Sequence, residues 1–362
     1  MITRENPLSL APGYRGSALP QEGDLLFFDI ETTGFSPKTA HIYLIGAVVK
    51  SKHQWRLIQW LAQSPQEEAL LLQSFLAFAA PFSGLIHFNG TTFDLPFLRQ
   101  RASLYSLALP EKGRYSLDLL RMIRPYRKVL GLEHLNQTAL EDFLGIRRED
   151  SMDGGRLIPV YHQYTNNPDP ELANLLLLHN HDDLMGMVQL LPLLSYADFF
   201  SGKFSVEGCE PDREDASAFS LIFHLALESP LPKPLSLPLS RGYLKAENAS
   251  AGLLVQGRKG ELKHFFENYR DYYYLPAEDT AIHKSVGAYV DREHRVPAKA
   301  ATCYTRKSGL FLPFQGDADG LSLFSSSHRD GDTYLECTPQ FIADPDLQLH
   351  YCRSLIRNCT NL

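Results

Sequence analysis

Residues 25–34 read LLFFDIETTG. Four consecutive bulky apolar residues, Leu25–Phe28, predict a central β-strand that is buried on both faces. Side chains alternate along a strand, so Asp29 and Glu31 point to the same side while Ile30 points to the other. A folded protein rarely tolerates two converging carboxylates beside an apolar run unless a cation holds them, and hard oxygen ligands suit Mg²⁺ or Mn²⁺. The alternative is a strand that ends in a solvated acidic turn.

The composition is that of an ordinary globular protein. A length of 362 residues fits about two domains, and the apolar share of 44% and charged share of 21% do not indicate disorder. The net charge of -7 gives no overall attraction to nucleic acid. Any polyanion would therefore have to be bound by local basic surface or by metal ions.

No targeting or membrane signal is apparent. Residues 1–23 contain no apolar stretch of the signal-peptide type, and no later segment stands out as a membrane span. We therefore expect a cytoplasmic protein without a membrane partner. The five cysteines include no Cys-x-x-Cys pair and are expected to be reduced thiols.

Strand-like and helix-like segments alternate in the first two hundred residues. The predicted strands are Leu25–Glu31, Tyr43–Val49, Gln54–Ala62 and Gly84–Phe88, and the predicted helices are Pro65–Ala79, Leu95–Tyr105, Leu132–Leu144 and Pro170–Leu191. Three early strands with short connections, followed by a helix and a strand, predict an antiparallel meander joined to a parallel βαβ unit. The fold class is α/β, a mixed sheet flanked by helices.

The pattern changes near residue 200. We divide the chain into a tail at 1–22, a first domain at 23–200, a helix with a proline-rich linker at 201–240, and a C-terminal α+β domain of unknown fold and role at 241–362. The elements expected after residue 200 are helices at Asp212–Glu228, Asp279–Val290 and Asp344–Asn358 and a hairpin at Thr302–Phe314.

A second acidic candidate lies in residues 87–98, HFNGTTFDLPFL. A short strand, Leu85–Phe88, runs into an Asn-Gly turn, and Asp94 then stands at the start of a helix with Pro96 in its first turn. Asp94 is either a functional carboxylate or a helix N-cap, for which aspartate is a preferred residue.

A third candidate lies in residues 175–184, LLLLHNHDDL, within a long predicted helix. Steps of three and four residues place His179 and Asp183 on the apolar stripe that should face the core. An unpaired buried aspartate is costly, so Asp183 either pairs with His179 or binds a cation. The neighbours His181 and Asp182 are expected to be solvated.

Together these three segments resemble the motifs of the DEDD superfamily of 3′–5′ exonucleases, which have the ribonuclease H-like fold. The resemblance is greatest to the exonuclease domains of family B DNA polymerases and their stand-alone bacterial relatives. Residues 29–34, 89–94 and 179–183 carry the match, which covers about residues 23–197.

The resemblance implies two divalent cations, Mg²⁺ or Mn²⁺, and a nucleic-acid partner bound at a single-stranded 3′ end. The implied metal ligands are Asp29, Glu31, Asp94 and Asp183, with Asp29 bridging both ions. His179 would take the proton from the attacking water. The residues implied to hold the terminal nucleotide are Thr32, Thr33, Gly34, Asn89 and Phe93, although Phe93 is equally well explained as a core residue.

One departure concerns the third motif. The subgroup with this spacing usually has tyrosine four residues before the aspartate, where this chain has His179. The histidine-bearing subgroup normally has an interval of five, which here reaches Leu178. An imidazole can accept a proton at neutral pH whereas a phenol cannot.

Local charge is compatible with a polyanion. Between Arg99 and Lys128 there are eight basic and two acidic residues. This segment is either a path for the phosphate backbone or a solvated face.

Two other functions are possible on this fold: a non-catalytic scaffold that binds nucleic acid or protein, and a structure-selective endonuclease.

Overall fold

The computed structural model of the chain describes residues 1–10, 13–14, 16, 18–19, 25–51, 54–109, 115–150, 152, 154–214, 218–316 and 320–359. The chain divides into two units, Met1–Asp198 and Phe199–Leu362. Each unit has a β-sheet of its own.

The first unit is built on a mixed six-stranded sheet with the spatial order β1-β4-β3-β2-β5-β6. Its strands are β1 (Ile2–Leu8), β2 (Leu25–Thr32), β3 (Ile42–Ser51), β4 (Gln54–Leu61), β5 (Gly84–His87) and β6 (Tyr115–Asp118). Strand β2 is antiparallel to β3 and parallel to β5. The predicted meander joined to a parallel βαβ unit is therefore confirmed, and Leu26, Phe27 and Phe28 are at most 1% exposed, as a central strand requires.

Helices flank this sheet. They are α1 (Glu68–Ala79), α2 (Asp94–Leu104), α3 (Leu119–Ile123), α4 (Gln137–Leu144), α5 (Gly154–Asn166), α6 (Pro170–Gln189) and α7 (Leu194–Ser201). Helix α6 packs on β2 and β3, and α5 packs on α6. The α/β class with a mixed sheet flanked by helices is confirmed.

Two predictions for the first unit were wrong, and helix α5 was missed. Residues 2–8 are not a tail, because β1 pairs with β4 along its whole length. Helix α4 begins at Gln137 rather than at Leu132, because the Asn136 side chain caps it by accepting a hydrogen bond from the Ala139 N–H. Helix α5 was not predicted, since it opens with two glycines and contains Pro159, all unfavourable in helices.

The segment Pro170–Ser201 is long and apolar enough to cross a membrane by length and composition alone. The expectation that no segment qualifies was therefore wrong. However, 78% of its most apolar window is buried inside the protein, as in the core helix of a globular fold.

The second unit contains an eight-stranded sheet and a three-stranded sheet, both antiparallel in the pairs described. Its strands are β7 (Phe204–Glu214), β8 (Ala218–Leu227), β9 (Leu235–Leu239), β10 (Gly242–Glu247), β11 (Ser250–Phe265), β12 (Tyr272–Leu275), β13 (Thr280–His283), β14 (Val296–Pro297), β15 (Tyr304–Phe314), β16 (Leu323–Phe324) and β17 (Thr333–Glu336). Its helices are α8 (Lys284–Gly287), α9 (Pro339–Ala343) and α10 (Pro345–Asn358). All five cysteines are free thiols, as expected.

The helix predicted at Asp212–Glu228 was wrong, because β7 and β8 occupy this stretch and pair with each other. In β8 the buried residues Phe219, Leu221, Phe223, Leu225 and Leu227 recur at every second position, which is the period of a strand. Residues 215–217 of the predicted helix lie outside the described residues.

The linker and the hairpin were also wrong. Strand β9 forms within the proline-rich segment, and Pro238 is tolerated there because β9 lies at the edge of the sheet. Residues 304–314 form one continuous strand, in which Gly309 pairs with Gly260 of β11 instead of making a turn. The helix predicted at Asp279–Val290 is β13 followed by the single turn of α8, whereas the helix at the end of the chain is confirmed.

The absence of a side chain at Gly46 lets α6 approach the sheet closely. Gly46 lies on β3 opposite Asp29, and a Cβ at this position would lie 2.0 Å from Asn180 Oδ1 and 2.5 Å from Leu184 Cδ1. Both of these side chains belong to α6 and are completely buried. A larger residue at position 46 must therefore displace these two side chains or the helix that carries them.

We expect Gly46→Ala to lower the free energy of unfolding by about 1–3 kcal/mol, because an overpacked core forces side chains or backbone to shift. Urea unfolding followed by circular dichroism measures this loss. Gly252→Ala is the matched control, since Gly252 is also an interior strand glycine but a Cβ there would have no heavy atom within 4 Å. Equal stability of the Gly46→Ala protein and the wild type would contradict the close packing.

Candidate active site

The four predicted carboxylates come from three elements and converge on two adjoining hollows in the first unit. Asp29 and Glu31 lie near the end of β2, Asp94 is the first residue of α2, and Asp183 lies on α6. The hollows have volumes of about 500 and 530 Å³, and Asp29 and Asp183 line both of them. Glu31 and His179 line the first hollow only, and Asp94 lines the second only.

Glu31 presents a buried oxygen without a protein partner. The residue is 8% exposed, and its Oε1 atom has no hydrogen-bond partner among the described residues. The Nε2 atom of His179 lies 3.7 Å from this oxygen and 3.3 Å from Asp183 Oδ2. A buried carboxylate oxygen without a donor is costly, so the site needs a further positive group.

The carboxylates repel one another. Burial, followed by the charges of Asp183, Glu31 and Asp94, raises the pKa of Asp29 well above its ordinary value. Burial and the charges of Asp183 and Asp94 do the same to the pKa of Glu31. The pKa of Asp94 is raised to about 7, mainly by burial, although backbone hydrogen bonds from its own N–H and from that of Ile30 oppose the shift.

This donor set fits divalent cations. Ligand atoms of Glu31, His179 and Asp183 all lie within 4.8 Å of one another. A bound cation would relieve the repulsion among these carboxylates, and oxygen-rich sites suit Mg²⁺ and Mn²⁺.

Asp94 is not an N-cap, because it is the first helical residue and its carboxylate faces the other acids.

Arg148 supplies a positive charge that the sequence did not reveal. Its guanidinium contacts the buried carboxylate of Glu141, and its Nη2 lies 2.7 Å from Asp183 Oδ1. It also lines the first hollow. Arg148 lies in the loop after α4, where local sequence shows no periodic pattern, so only the tertiary fold brings it to Asp183.

His179 has a third acidic neighbour, which sequence reasoning missed. Its Nδ1 lies 2.5 Å from Oδ2 of Asp150, which is 8% exposed. Asp182, predicted to be solvated, is instead 6% exposed, and its Oδ2 accepts hydrogen bonds from the N–H groups of Glu149 and Asp150. The side chain of His181 is 31% exposed and contacts Asp182.

Asn180 fixes the position of Asp29. Its Nδ2 donates to Asp29 Oδ2 over 3.0 Å, and its Oδ1 accepts from Gln59 Nε2 over 2.9 Å. Gln59 also donates to the carbonyl oxygen of Leu177. The amide of Asn180 therefore has partners on both sides, and the Asp29 carboxylate is held in place from α6.

The loop that carries Asn89 is held by Asp118, another residue not predicted. Asp118 accepts hydrogen bonds from the N–H groups of Asn89 and Thr91 at 3.0 and 3.1 Å. Asn89 has a φ of 61°, a conformation that asparagine tolerates better than most residues. Asn89 and Phe93 both line the second hollow, and Phe93 also packs on Phe97 of the core.

The predicted nucleotide-binding residues at the end of β2 lead into a turn beside the site. Thr32 Oγ1 donates to the carbonyl oxygen of Gly34, and Thr33 Oγ1 accepts from the His41 N–H. In the described part of the chain, none of Thr32, Thr33 and Gly34 lines either hollow. Their contact with a nucleotide stays a prediction.

The basic segment between Arg99 and Lys128 is divided by the fold. Arg101 pairs with the buried Glu68, whereas Arg124 lines the second hollow. Lys112 and Arg114 lie outside the described residues. Only part of the segment is thus placed to meet a substrate at the site.

We expect the metal-free protein to lose stability as pH rises from about 4 to about 7. The folded pKa of Asp94, about 7, exceeds its ordinary value of 3.8. The folded state therefore binds the proton more tightly, and this stabilisation is complete below pH 3.8 and is lost as pH rises through about 7. Asp94→Asn should flatten this dependence.

Urea unfolding at several pH values, followed by tryptophan fluorescence, measures the effect. The two tryptophans, Trp55 and Trp60, both lie on β4 of the first unit. Asp142→Asn, a change at an exposed position on α4, is the control for the loss of one carboxylate. A free energy of unfolding that rises over this pH range in the wild type but not in Asp94→Asn would contradict the electrostatic account.

Comparisons with known proteins agree with this fold. Residues 26–195 match the family model described as the RNase_H superfamily. The protein YprB of Bacillus subtilis (strain 168), described as uncharacterized, is 29% identical over 171 residues, which are 47% of this chain and 41% of YprB. The chain thus spans about two fifths of the length of this curated relative.

Solved structures with a similar arrangement have low identity. A family B DNA polymerase from Pyrobaculum calidifontis aligns over 51% of this chain and 26% of the polymerase, with 16% identity and a TM-score of 0.42. The zinc-bound complex of E. coli exonuclease I with single-stranded DNA aligns over 56% of this chain and 54% of the exonuclease, with 15% identity and a TM-score of 0.31. Residues 26–195 thus match the model of the RNase_H superfamily, and their mixed sheet flanked by helices agrees with a ribonuclease H-like fold.

Proposed function

We propose that the first unit is a metal-dependent 3′–5′ exonuclease that hydrolyses phosphodiester bonds at single-stranded 3′ ends of nucleic acid. The superfamily match supports a nuclease. The observation that carries the proposal is the convergence of Asp29, Glu31, Asp94 and Asp183, with a buried Glu31 oxygen that has no hydrogen-bond partner within the described part of the chain. Clustered buried carboxylates lower folding stability, and a non-catalytic scaffold would gain nothing from them.

The four carboxylates would hold two divalent cations, Mg²⁺ or Mn²⁺. When bound, such ions neutralise charge on the phosphoryl oxygens and assist ionisation of the attacking water. Asp29 lines both hollows, which suits a ligand shared by two ions. His179 turns its Nε2 toward the carboxylates and would accept the proton of the attacking water.

The second hollow is suited to the terminal nucleotide. Phe93 offers an aromatic face, on which any base can stack. Asn89 offers amide groups for hydrogen bonds, and Arg124 offers a positive charge for the phosphate backbone. We propose that Thr32, Thr33 and Gly34 approach the same nucleotide from the end of β2.

We expect Asp94→Asn to abolish digestion of a single strand with a 3′-hydroxyl end, lowering the rate by at least about 100-fold, since a metal ion supplies several kcal/mol of transition-state stabilisation. The assay is a time course with end-labelled DNA and RNA oligonucleotides in Mg²⁺ or Mn²⁺, and a chelator should stop the reaction. Asp142→Asn is the control, because this exposed side chain lies outside the site. Equal activity of Asp94→Asn and the wild type would rule the proposal out.

End dependence separates exonuclease from endonuclease action. We expect a ladder of products that shortens from the 3′ end, because we propose that the hollow lined by Phe93 and Asp94 holds the terminal nucleotide. A strand blocked at its 3′ end and a circular strand should both resist digestion. Cleavage of the circle at the rate of the linear strand would instead indicate a structure-selective endonuclease.

A further inference from the structure

Asp150 and His179 form a buried pair behind the carboxylate cluster. Asp150 Oδ2 lies 2.5 Å from His179 Nδ1, and the two residues are 8% and 5% exposed. A carboxylate can only accept a hydrogen bond, so the proton of the pair belongs to Nδ1 of the ring. In a neutral imidazole this leaves the lone pair on Nε2, the nitrogen that faces Glu31 and Asp183.

Asp150 is itself fixed by the helix that carries His179. Its N–H and that of Glu149 each donate to Asp182 Oδ2 over 2.7 Å, and Asp182 follows His179 by three residues on α6. The Oδ1 atom of Asp150 accepts a hydrogen bond from the Met152 N–H over 3.0 Å. The loop after α4 is thereby attached to α6 beside the histidine.

The other charged groups around the ring do not replace this contact. Glu31 and Asp183 are farther from the imidazole, at 3.7 and 3.3 Å, and both face Nε2. Arg148 directs its guanidinium to Glu141 and Asp183. Of the carboxylates described near the ring, Asp150 is the one in contact with Nδ1.

We infer that Asp150 is a positioning residue: it holds His179 in the tautomer and orientation in which Nε2 can accept the proton of the attacking water. The inference rests on the proposed function of His179. Asp150 does not line either hollow described above, so it acts through the histidine and does not contact substrate. A residue that orients an imidazole in this way affects the chemical step more than substrate binding.

Asp150→Asn tests the inference because the side chain keeps its shape while its amide can donate to Nδ1, which favours the tautomer with the proton on Nε2. We expect kcat to fall by about 100-fold or more, the usual share of general base catalysis, while KM for the oligonucleotide changes by less than about threefold. Glu149→Gln is the matched control, since it makes the same charge change one residue away on an exposed side chain. An unchanged kcat in folded Asp150→Asn, or a loss confined to KM, overturns the inference.

A double variant shows whether Asp150 acts through His179. If it does, Asp150→Asn should cause no further loss of kcat in a His179→Gln background, because residues that act as a unit are not additive. If the double variant instead had a kcat lower than that of His179→Gln by the same factor that Asp150→Asn causes alone, Asp150 would have a separate role and the inference would be overturned.

The tautomer can be observed directly in the metal-free protein labelled with ¹⁵N-histidine. The signal that is missing from the spectrum of His179→Gln is that of His179. In mildly alkaline buffer we expect this ring to be protonated on Nδ1 in the wild type and on Nε2 in Asp150→Asn. Protonation of Nε2 alone in the wild type would overturn the inference even if the variant failed to fold. An inactive wild type would refute the proposed nuclease, whereas an active wild type with a fully active Asp150→Asn variant would refute only the positioning role.

Discussion

Repulsion among buried carboxylates is the constraint on which the site depends. Asp29, Glu31 and Asp94 all have raised pKa values, and burial is the largest cause in each. Arg148 provides one nearby cation, but it is shared between Asp183 and Glu141. Negative charge therefore remains in excess and destabilises the folded protein at this site. A bound divalent cation would restore the lost stability. Proteins break the rules of core formation mainly at functional sites.

The surrounding structure holds these acids rigidly in spite of the repulsion. Asn180 is completely buried and connects Asp29 to Gln59. It fits between helix and sheet because Gly46 has no side chain at that point. Asp94 is held by backbone N–H groups, including that of Ile30 on the same strand as Asp29. The positions of Asp29 and Asp94 are thus set by neutral hydrogen-bond donors, which leave the total negative charge unchanged.

The sequence predicted the features that depend on local patterns and missed those that depend on contacts between residues distant in the chain. The alternation of β2 and the stripe of α6 are local patterns, and they identified Asp29, Glu31 and Asp183. Asp150 has no such pattern, because its loop is placed by Asp182, which is distant in sequence. In the second unit, β8 reads AFSLIFHLAL, a short apolar run that is ambiguous between helix and strand until its pairing with β7 and β11 decides it.

The unusual interval between His179 and Asp183 also has a geometric explanation. Helix α6 is continuous from Pro170 to Gln189, so residues 179 and 183 both lie within regular helix. In an α-helix four residues advance the direction of a side chain by about 40° beyond a full turn, whereas five advance it by about 140°. A histidine five residues before Asp183 would point away from the carboxylates unless the helix were interrupted. An interval of four lets both side chains face β2 from an unbroken helix, and the 3.3 Å separation between His179 Nε2 and Asp183 Oδ2 agrees with it.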